Sequence, residues 1–148
     1  MPRRSKYVDD VWDAAAEGWV DFVRTGKDYC RDDLNNPVTF KVIGTVKGKE
    51  VLDLACGEGY NTRILARKGA KVAGIDRSRK MIDLARTEER KKRLGICYHR
   101  MEADRLERMP DNSFDLATCF MALQDIESYE GAVSEASRVL KHTGRFVF

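Results

Sequence analysis

The chain has 148 residues and a formal net charge of +3 at pH 7, and 43% of its residues are hydrophobic and 34% charged. This length fits one ordinary domain with a buried core, and the composition is that of a soluble globular protein, which excludes a disordered chain. No stretch approaches the roughly 18 consecutive apolar residues that a membrane-spanning helix needs, so no membrane partner is expected.

The N-terminal segment predicts two helices before the first strand. Its first residues, MPRRSKYVDD, are basic but have no apolar stretch behind them, so we predict no secretory signal and a cytoplasmic location. Apolar residues then recur at steps of three and four over residues 8–26, which indicates an amphipathic helix with Trp12 and Trp19 on its apolar face. After the polar loop KDYCRDDLNNP, Asn36 and the proline that follows it predict the start of a second helix that ends at Gly48.

The rest of the chain alternates short apolar runs with helical patterns, as is typical of βαβ units and a parallel sheet. The predicted strands lie at residues 51–55, 71–75, 96–100, 114–120 and 145–148. The predicted helices lie at residues 61–68, 78–90 (with Ser78 as the N-cap) and 129–140. We therefore expect one α/β domain with a doubly wound, mostly parallel sheet.

The stretch VLDLACGEGY, residues 51–60, runs from the first predicted strand into a turn with two glycines. Ligands of open parallel sheets bind beyond the carboxyl ends of the strands, so Gly57 and Gly59 are expected at such a crevice, where glycine lets the backbone approach a ligand closely. Thr62 stands where a dinucleotide-binding G-x-G-x-x-G/A motif has its third small residue. Asp76, at the end of the second predicted strand, can accept both hydroxyl hydrogen bonds of a ribose. These features favour a ligand that contains adenosine.

Four segments of the chain follow one another in an order known from one protein family: VLDLACGEG, VAGID, MEADRLERMPDNSFDLATCF and LKHTGRFVF. With them, residues 48–148 resemble the class I S-adenosylmethionine-dependent methyltransferases, in the small-molecule branch related to quinone-biosynthesis enzymes. The resemblance implies a Rossmann-like sheet of order 3-2-1-4-5, S-adenosylmethionine as cofactor, S-adenosylhomocysteine as product and a small-molecule methyl acceptor. It also implies that residues 1–48, with VWDAAAEGWVDF, form a helical lid and residues 49–148 the cofactor-binding domain, together effectively one domain.

The resemblance also implies a role for each residue that matches a family motif. Asp76 matches the acid that binds the ribose, and Glu102, where aspartate is commoner, matches the carboxylate that receives the adenine amino group. Ala55 stands where the fuller glycine motif has glycine, and Cys119 belongs to the turn next to the sulfonium and its methyl group, which also holds Met121. The implied cofactor-binding residues are Asp53, Ala55, Gly57, Gly59, Asp76, Arg77, Glu102, Ala103, Cys119, Phe120, Trp12 and Trp19.

Several of these residues also have a purely structural interpretation. Asp53 can accept backbone N–H bonds in its own turn, and Asp76 can cap the helix that follows it. Glu102 can be an ordinary charge at a strand end. Trp12 and Trp19 can be core residues on an apolar helix face.

Methyl transfer requires positioning of the acceptor, and it requires a base only where the acceptor must lose a proton. His142 precedes the fifth predicted strand, so it is expected at the amino edge of the sheet, away from the crevice. His99, inside the third predicted strand, is expected to be structural. By resemblance, CFMALQDI after the fourth strand argues against branches that methylate adenine or glutamine amides, which have Asn-Pro-Pro-Tyr or Asp-Pro-Pro-Tyr there. We therefore predict no catalytic residue.

The cysteines and the charged residues indicate whether a metal ion or a nucleic acid is to be expected as a partner. The four cysteines are widely spaced and form no CxxC pair, so we predict mostly buried, reduced thiols and no metal site. The basic run at residues 90–93 is interpreted as a solvated helix end, so no nucleic-acid partner is expected.

The sequence ends inside the fifth predicted strand, where relatives of the family continue. We therefore expect a C-terminally incomplete domain without the usual last strands, whose edge at residues 145–148 favours self-association. Two other functions stay open: a nicotinamide-dependent oxidoreductase domain, and a cofactor-binding or interaction fragment without catalytic activity.

Overall fold

The computed structural model describes residues 6–148, so the first part of the basic N-terminus lies outside it. Within that range the strands form one five-stranded parallel sheet of order β3-β2-β1-β4-β5, which confirms the predicted doubly wound, Rossmann-like fold. The strands are β1 (Glu50–Leu54), β2 (Lys71–Asp76), β3 (Cys97–Arg100), β4 (Phe114–Thr118) and β5 (Leu140–Val147).

Helices cover both faces of this sheet. They are α1 (Lys6–Arg24), α2 (Asn36–Ile43), α3 (Tyr60–Arg67), α4 (Arg79–Lys92) and α5 (Tyr129–Val139). A π-helical segment (Cys30–Asn35) precedes α2, and a short 3₁₀ turn (Leu123–Asp125) follows β4. The predicted N-cap of α4 is confirmed, because Ser78 Oγ accepts a hydrogen bond of 3.1 Å from the N–H of Met81. No helix of residues 6–148 is both long and apolar enough to cross a membrane.

The second helix departs from its predicted limits. The loop before it is partly π-helical, and α2 ends at Ile43 rather than at Gly48 because Gly44 takes a positive φ of 71° and turns the chain. Asn36 lies inside the helix instead of capping it, and its amide donates to Asn61 Oδ1 over 2.8 Å.

The fifth strand begins at Leu140 rather than at residue 145, because β4 and β5 pair with an irregular register between Phe114 and Leu116. His142, predicted just before the strand, therefore lies within it. It is exposed and sits near the amino end of β4, the end of the sheet at which it was expected.

The sheet has a core on each face, because its central strand is buried on both sides. Leu52 and Leu54 pack with residues of α5, while Val51 packs with Leu65 of α3 and Ile82 of α4. A nearly continuous apolar strand is typical of a parallel sheet covered on both faces. Asp53 is the buried polar exception in β1, and it lies close to the carboxyl end of that strand.

The N-terminal helix α1 is attached beside the carboxyl end of β2. Asp13 accepts hydrogen bonds from the hydroxyl of Ser78 and, over 3.2 Å, from the N–H of Lys80. Lys80 also forms an ion pair of 3.4 Å with Glu17. These contacts place α1 over the first turn of α4, so the helix borders the edge of the sheet where a ligand is expected.

Candidate functional site

A cavity of about 1220 Å³ opens at the carboxyl ends of the central strands, with α1 and the π-helical segment on one side. This volume is ample for a small-molecule ligand. Gly59 and Cys119 are buried and do not contribute to its surface. The sequence-predicted residues that line it are Trp12, Trp19, Asp53, Ala55, Gly57, Asp76, Arg77, Glu102, Ala103 and Phe120.

Asp53 is held by two threonine hydroxyls. Thr62 Oγ1 donates to Oδ2 over 2.6 Å, and Thr118 Oγ1 donates to Oδ1 over 2.8 Å. Burial raises the pKa of Asp53 to about 6, although both hydroxyl bonds oppose the rise. Instead of the backbone bonds that sequence suggested, Asp53 thus has side-chain partners that join β1 to β4 and to α3 beneath the turn.

The glycine turn, residues 55–59, needs glycine at its two glycine positions for different reasons. Gly57 has a φ of +56°, and a Cβ built there would meet no atom of residues 6–148 within 4 Å, so the turn is open toward the cavity. Gly59 has a φ of +84°, and a Cβ there would clash with the hydroxyl of Tyr98 and lie 2.8 Å from its Cζ. Gly57 therefore leaves room for a ligand, whereas Gly59 leaves room for a side chain of the protein.

Tyr98 was missed by the sequence analysis. Its ring also lies against Gly74 of β2, where an added Cβ would be 2.9 Å from Cδ1, and its buried hydroxyl has no hydrogen-bond partner among the described residues. A glycine in the middle of a strand often marks such a close approach, and Gly74 is the signal that could have indicated it.

Asp76 joins the glycine turn to the start of α4. Its Oδ2 accepts from the N–H of Gly57 and its Oδ1 from the N–H of Ser78, both over 2.8 Å. Burial is the main cause that raises the pKa of Asp76 to about 6; Arg77 opposes this rise and Asp13 adds to it. The carboxylate thus supports the helix start, as the structural interpretation proposed, and it also lines the cavity.

The remaining sequence-predicted residues lie after β3 and after β4. Glu102 follows β3 and pairs with Arg77, with 3.7 Å between Oε2 and Nε, and both side chains are partly buried at the cavity wall. Phe120 follows β4 and packs on Phe40 with 5.3 Å between ring centroids. Cys119 lies behind this wall, and burial raises the pKa of its thiol to about 12.

Trp12 and Trp19 face the cavity from α1. Their rings meet edge to face with 5.7 Å between centroids, and Trp19 remains 36% exposed. They are therefore not core residues in the ordinary sense, since part of their apolar surface is presented to the cavity.

Glu58, also missed, lies between the two glycines with a side chain that is only 1% exposed. Both of its carboxylate oxygens lie 2.9 Å from Nη2 of Arg63, and Arg63 Nη1 donates to the backbone carbonyl of Glu58 over 2.7 Å. Arg24, the last residue of α1, donates to the same carboxylate from Nε over 3.0 Å. This network connects the glycine turn to α1.

The prediction that the cysteines are mostly buried is wrong for two of them. Cys30, at the start of the π-helical segment, is exposed, and Cys97 is exposed on β3, which is an edge strand paired only with β2. Cys119 is buried, Cys56 is partly buried, and all are free thiols. Among residues 6–148 no group of at least three His, Cys, Asp or Glu side chains is arranged to hold a metal ion.

The two raised carboxyl pKa values predict how stability depends on pH. Asp53 and Asp76 titrate at about 6 in the folded protein, against about 3.9 in an unfolded chain. The folded protein therefore binds more protons in this interval, and stabilisation that is complete below about pH 4 is lost as the pH rises through about 6. We expect the free energy of unfolding, measured by urea denaturation, to fall from about pH 5 to about pH 7.

Substitutions test whether Asp53 and Asp76 cause this pH dependence of stability. Asp53→Asn and Asp76→Asn are each expected to reduce the difference between the free energies of unfolding at about pH 5 and at about pH 7. Glu135, whose pKa is lowered by its hydrogen bonds with Arg138, affects stability only at more acidic pH, so Glu135→Gln serves as a control that keeps the difference. A wild-type profile that is flat between about pH 5 and about pH 7 would contradict the prediction.

An open parallel sheet with a glycine turn and a cavity at its carboxyl edge defines a Rossmann-like ligand-binding domain. Residues 52–148 match a family described as a methyltransferase domain. The chain belongs to this methyltransferase family.

Similar proteins agree with this membership and confirm the resemblance to quinone-biosynthesis methyltransferases. A demethylmenaquinone methyltransferase from Tropheryma whipplei (strain Twist) is 40% identical over 107 residues, which cover 72% of this chain and 44% of that protein. A ubiquinone biosynthesis O-methyltransferase from Coxiella burnetii (strain Dugway 5J108-111) is 33% identical over 118 residues, which cover 78% of this chain and 50% of that protein. The chain therefore spans about half the length of the curated relatives it matches.

A solved structure shows the same likeness in three dimensions. The S-adenosylmethionine-dependent methyltransferase from Mesorhizobium loti superposes with a TM-score of 0.66 at 33% sequence identity. The match covers 74% of this chain and 49% of that protein.

Proposed function

We propose that this domain binds S-adenosylmethionine in the cavity and takes part in methyl transfer to a small-molecule acceptor. The observation that carries the proposal is the hydrogen bond between Gly57 and Asp76: an open turn and a buried carboxylate meet in the wall of a cavity of about 1220 Å³. The names of the relatives support the same reaction class.

The residues around the cavity fit this cofactor. A carboxylate has about four acceptor positions, and the backbone bonds from Gly57 and Ser78 occupy two of those of Asp76, which leaves capacity for ribose hydroxyls. Glu102 and Ala103 line the wall next to Asp76, where an adenine ring would lie. The open space at Gly57 would accommodate the part of the cofactor that passes the turn.

The cofactor would supply a methyl group on a positively charged sulfur. The work left to the chain is to hold the acceptor close to that methyl group and to exclude water. Trp12 and Trp19 on α1 and Phe120 after β4 line the same cavity and provide apolar surface for this purpose. We propose that residues 1–48 act as a lid. His99 and His142 do not line the cavity, so we assign no general base.

The proposal predicts that Asp76→Ala weakens binding of S-adenosylhomocysteine by about 1–3 kcal/mol, the scale for leaving hydrogen-bonding partners unpaired. Isothermal titration calorimetry on folded protein measures the change. Asp83→Ala, on the exposed side of α4 and outside this cavity, is the matched control. Because Asp76 also supports the turn, Asp76→Asn and a denaturation curve should accompany the measurement.

The same calorimeter separates this function from the alternatives. Binding of NAD without binding of S-adenosylhomocysteine would favour a nicotinamide-dependent oxidoreductase. Normal cofactor binding by Asp76→Ala would show that the site is assigned wrongly. A methyl-transfer assay over a panel of small acceptors separates an active domain from a cofactor-binding fragment.

Several finer points stay predictions from the sequence. They are self-association through residues 145–148, the lack of a nucleic-acid partner and a cytoplasmic location. The exposed ring of Phe148, which packs on Phe146 with 5.0 Å between centroids, supports the first of them.

A further inference from the structure

We propose that Asp13 of α1 is a positioning residue for the cofactor site, because it orients Ser78 and, through Ser78, the carboxylate of Asp76. The inference rests on the proposed function, in which Asp76 accepts hydrogen bonds from ribose hydroxyls. Asp13 does not line the cavity of about 1220 Å³, so it would act on a ligand only through its neighbours.

Ser78 lies between the two aspartates and binds one with its hydroxyl and the other with its backbone. The hydroxyl donates to Oδ1 of Asp13, and the same oxygen accepts from the N–H of Met81 over 3.1 Å. The backbone N–H of Ser78 donates to Oδ1 of Asp76 over 2.8 Å. Ser78 is 1% exposed, so water has little access to these bonds.

The contact with Asp13 fixes the direction of the Ser78 hydroxyl proton. A serine hydroxyl has one donor and two acceptor positions. Because Asp13 takes the donor, the lone pairs are free to accept from Met81, and the proton is not given to Asp76. Asp76 therefore keeps, beyond its bonds from Gly57 and Ser78, the acceptor positions that ribose hydroxyls would use. Chained bonds in a buried site also strengthen one another.

Asp13 belongs to a helix that is attached from outside the hydrophobic cores. Among the described side chains, neither core includes a residue of α1. Oδ1 of Asp13 also accepts from the N–H of Lys80 in the first turn of α4, where a negative charge is favourable. A change of Asp13 thus reaches Asp76 through the Ser78 hydrogen bonds and through its own charge, without disturbing a core.

Calorimetry with S-adenosylhomocysteine at pH 7 tests this path. Asp13→Ala removes the acceptor and should weaken binding about three- to tenfold, the range for one hydrogen bond. Asp13→Asn keeps an oxygen that can accept from Ser78, so its affinity should stay within about twofold of the wild type. Glu17→Gln is the matched control on the same helix, because Glu17 pairs with Lys80 over 3.4 Å without contacting Ser78, and it should bind as the wild type does.

A double-mutant cycle with Ser78→Ala separates this path from a general effect of α1. If Asp13 acts through Ser78, Asp13→Ala should change the affinity less than about twofold when residue 78 is alanine. An equal loss in both backgrounds would overturn the inference, and so would a wild-type affinity of Asp13→Ala.

The pH dependence of binding is a readout that attachment of α1 alone would not move. Ionised Asp76 offers the most acceptor positions, so wild-type affinity should rise with pH through about 6, the pKa to which burial raises this carboxyl. Asp13→Asn removes a negative charge beside Asp76, which favours the ionised form, so the rise should move to lower pH. The other charged or titratable groups around Asp76 are the same in both proteins: Asp53, Cys56, Arg77 with its partner Glu102, Arg100 and Cys119.

This comparison also decides the matter if Asp13→Ala does not fold. A midpoint of the pH profile that is unchanged in Asp13→Asn would overturn the inference. Failure of the wild type to bind S-adenosylhomocysteine at any pH would instead contradict the proposed function.

Discussion

Replacing Gly59 by alanine is expected to lower the free energy of unfolding by about 3 kcal/mol. A left-handed backbone costs an alanine about 1–2 kcal/mol, and forcing extra volume into a packed site costs about 1–3 kcal/mol. Both costs apply here, because Gly59 has a φ of +84° and its new methyl group would clash with the hydroxyl of Tyr98. Urea denaturation followed by circular dichroism measures the change.

Two further variants separate these costs. Gly57→Ala shares the positive φ but has open space around its Cβ, so it should cost only about 1–2 kcal/mol in stability. In the double variant Gly59→Ala with Tyr98→Phe, the clashing oxygen is gone and part of the loss should be recovered. If the double variant loses the sum of the losses measured for Gly59→Ala alone and for Tyr98→Phe alone, contact with Tyr98 is not the reason that position 59 is glycine.

Replacing Glu58 by glutamine is expected to lower the free energy of unfolding by about 3–5 kcal/mol, the range for removing one partner of a buried ion pair. The side chains of Glu58 and Arg63 are 1% and 5% exposed, so Arg63 would keep a buried positive charge with no carboxylate to balance it. Denaturation curves of Glu58→Gln and the wild type, recorded at the same pH, give the difference.

Arg24→Gln is the comparison that isolates the link to α1. Arg24 is 31% exposed, and its removal leaves the pair of Glu58 and Arg63 intact, so its effect on stability should be under about 1 kcal/mol. The two tryptophans of the chain both lie on α1, so their fluorescence reports the attachment of this helix. We expect a red shift in Arg24→Gln without global unfolding. An unchanged emission spectrum would show that Arg24 does not hold α1 in place.

The fold could be predicted because its signals are local. The strands β1, β2 and β4 are largely apolar short runs, and residues such as Ser78 mark helix starts through contacts within one turn. The predicted limits failed where distant pairing decides the structure. Leu140 joins β5 because it pairs with Phe114, and nothing near Leu140 in the sequence indicates this partner.

The site could be predicted only in part for the same reason. Asp76 and Gly57 were found because they belong to motifs at strand ends. The link from Glu58 to α1 was missed because Arg24 lies 34 positions away, and the hydroxyl partners of Asp53 include Thr118, 65 positions away. Arg31 was taken for part of a polar loop, since only the fold places it over Tyr60.

The packing of Tyr98 across Gly74 and toward Gly59 limits the order in which these positions can change during evolution. A side chain at position 59 or 74 is excluded while the tyrosine ring is present, since an added Cβ would lie 2.9 Å from the ring at Gly74 and would clash with the hydroxyl at Gly59. A smaller residue at position 98 must therefore arise first. It leaves a cavity that lowers stability until position 59 or 74 gains a side chain. A lineage that keeps the tyrosine consequently keeps both glycines, and position 59 stays invariant there whatever ligand the neighbouring turn comes to bind.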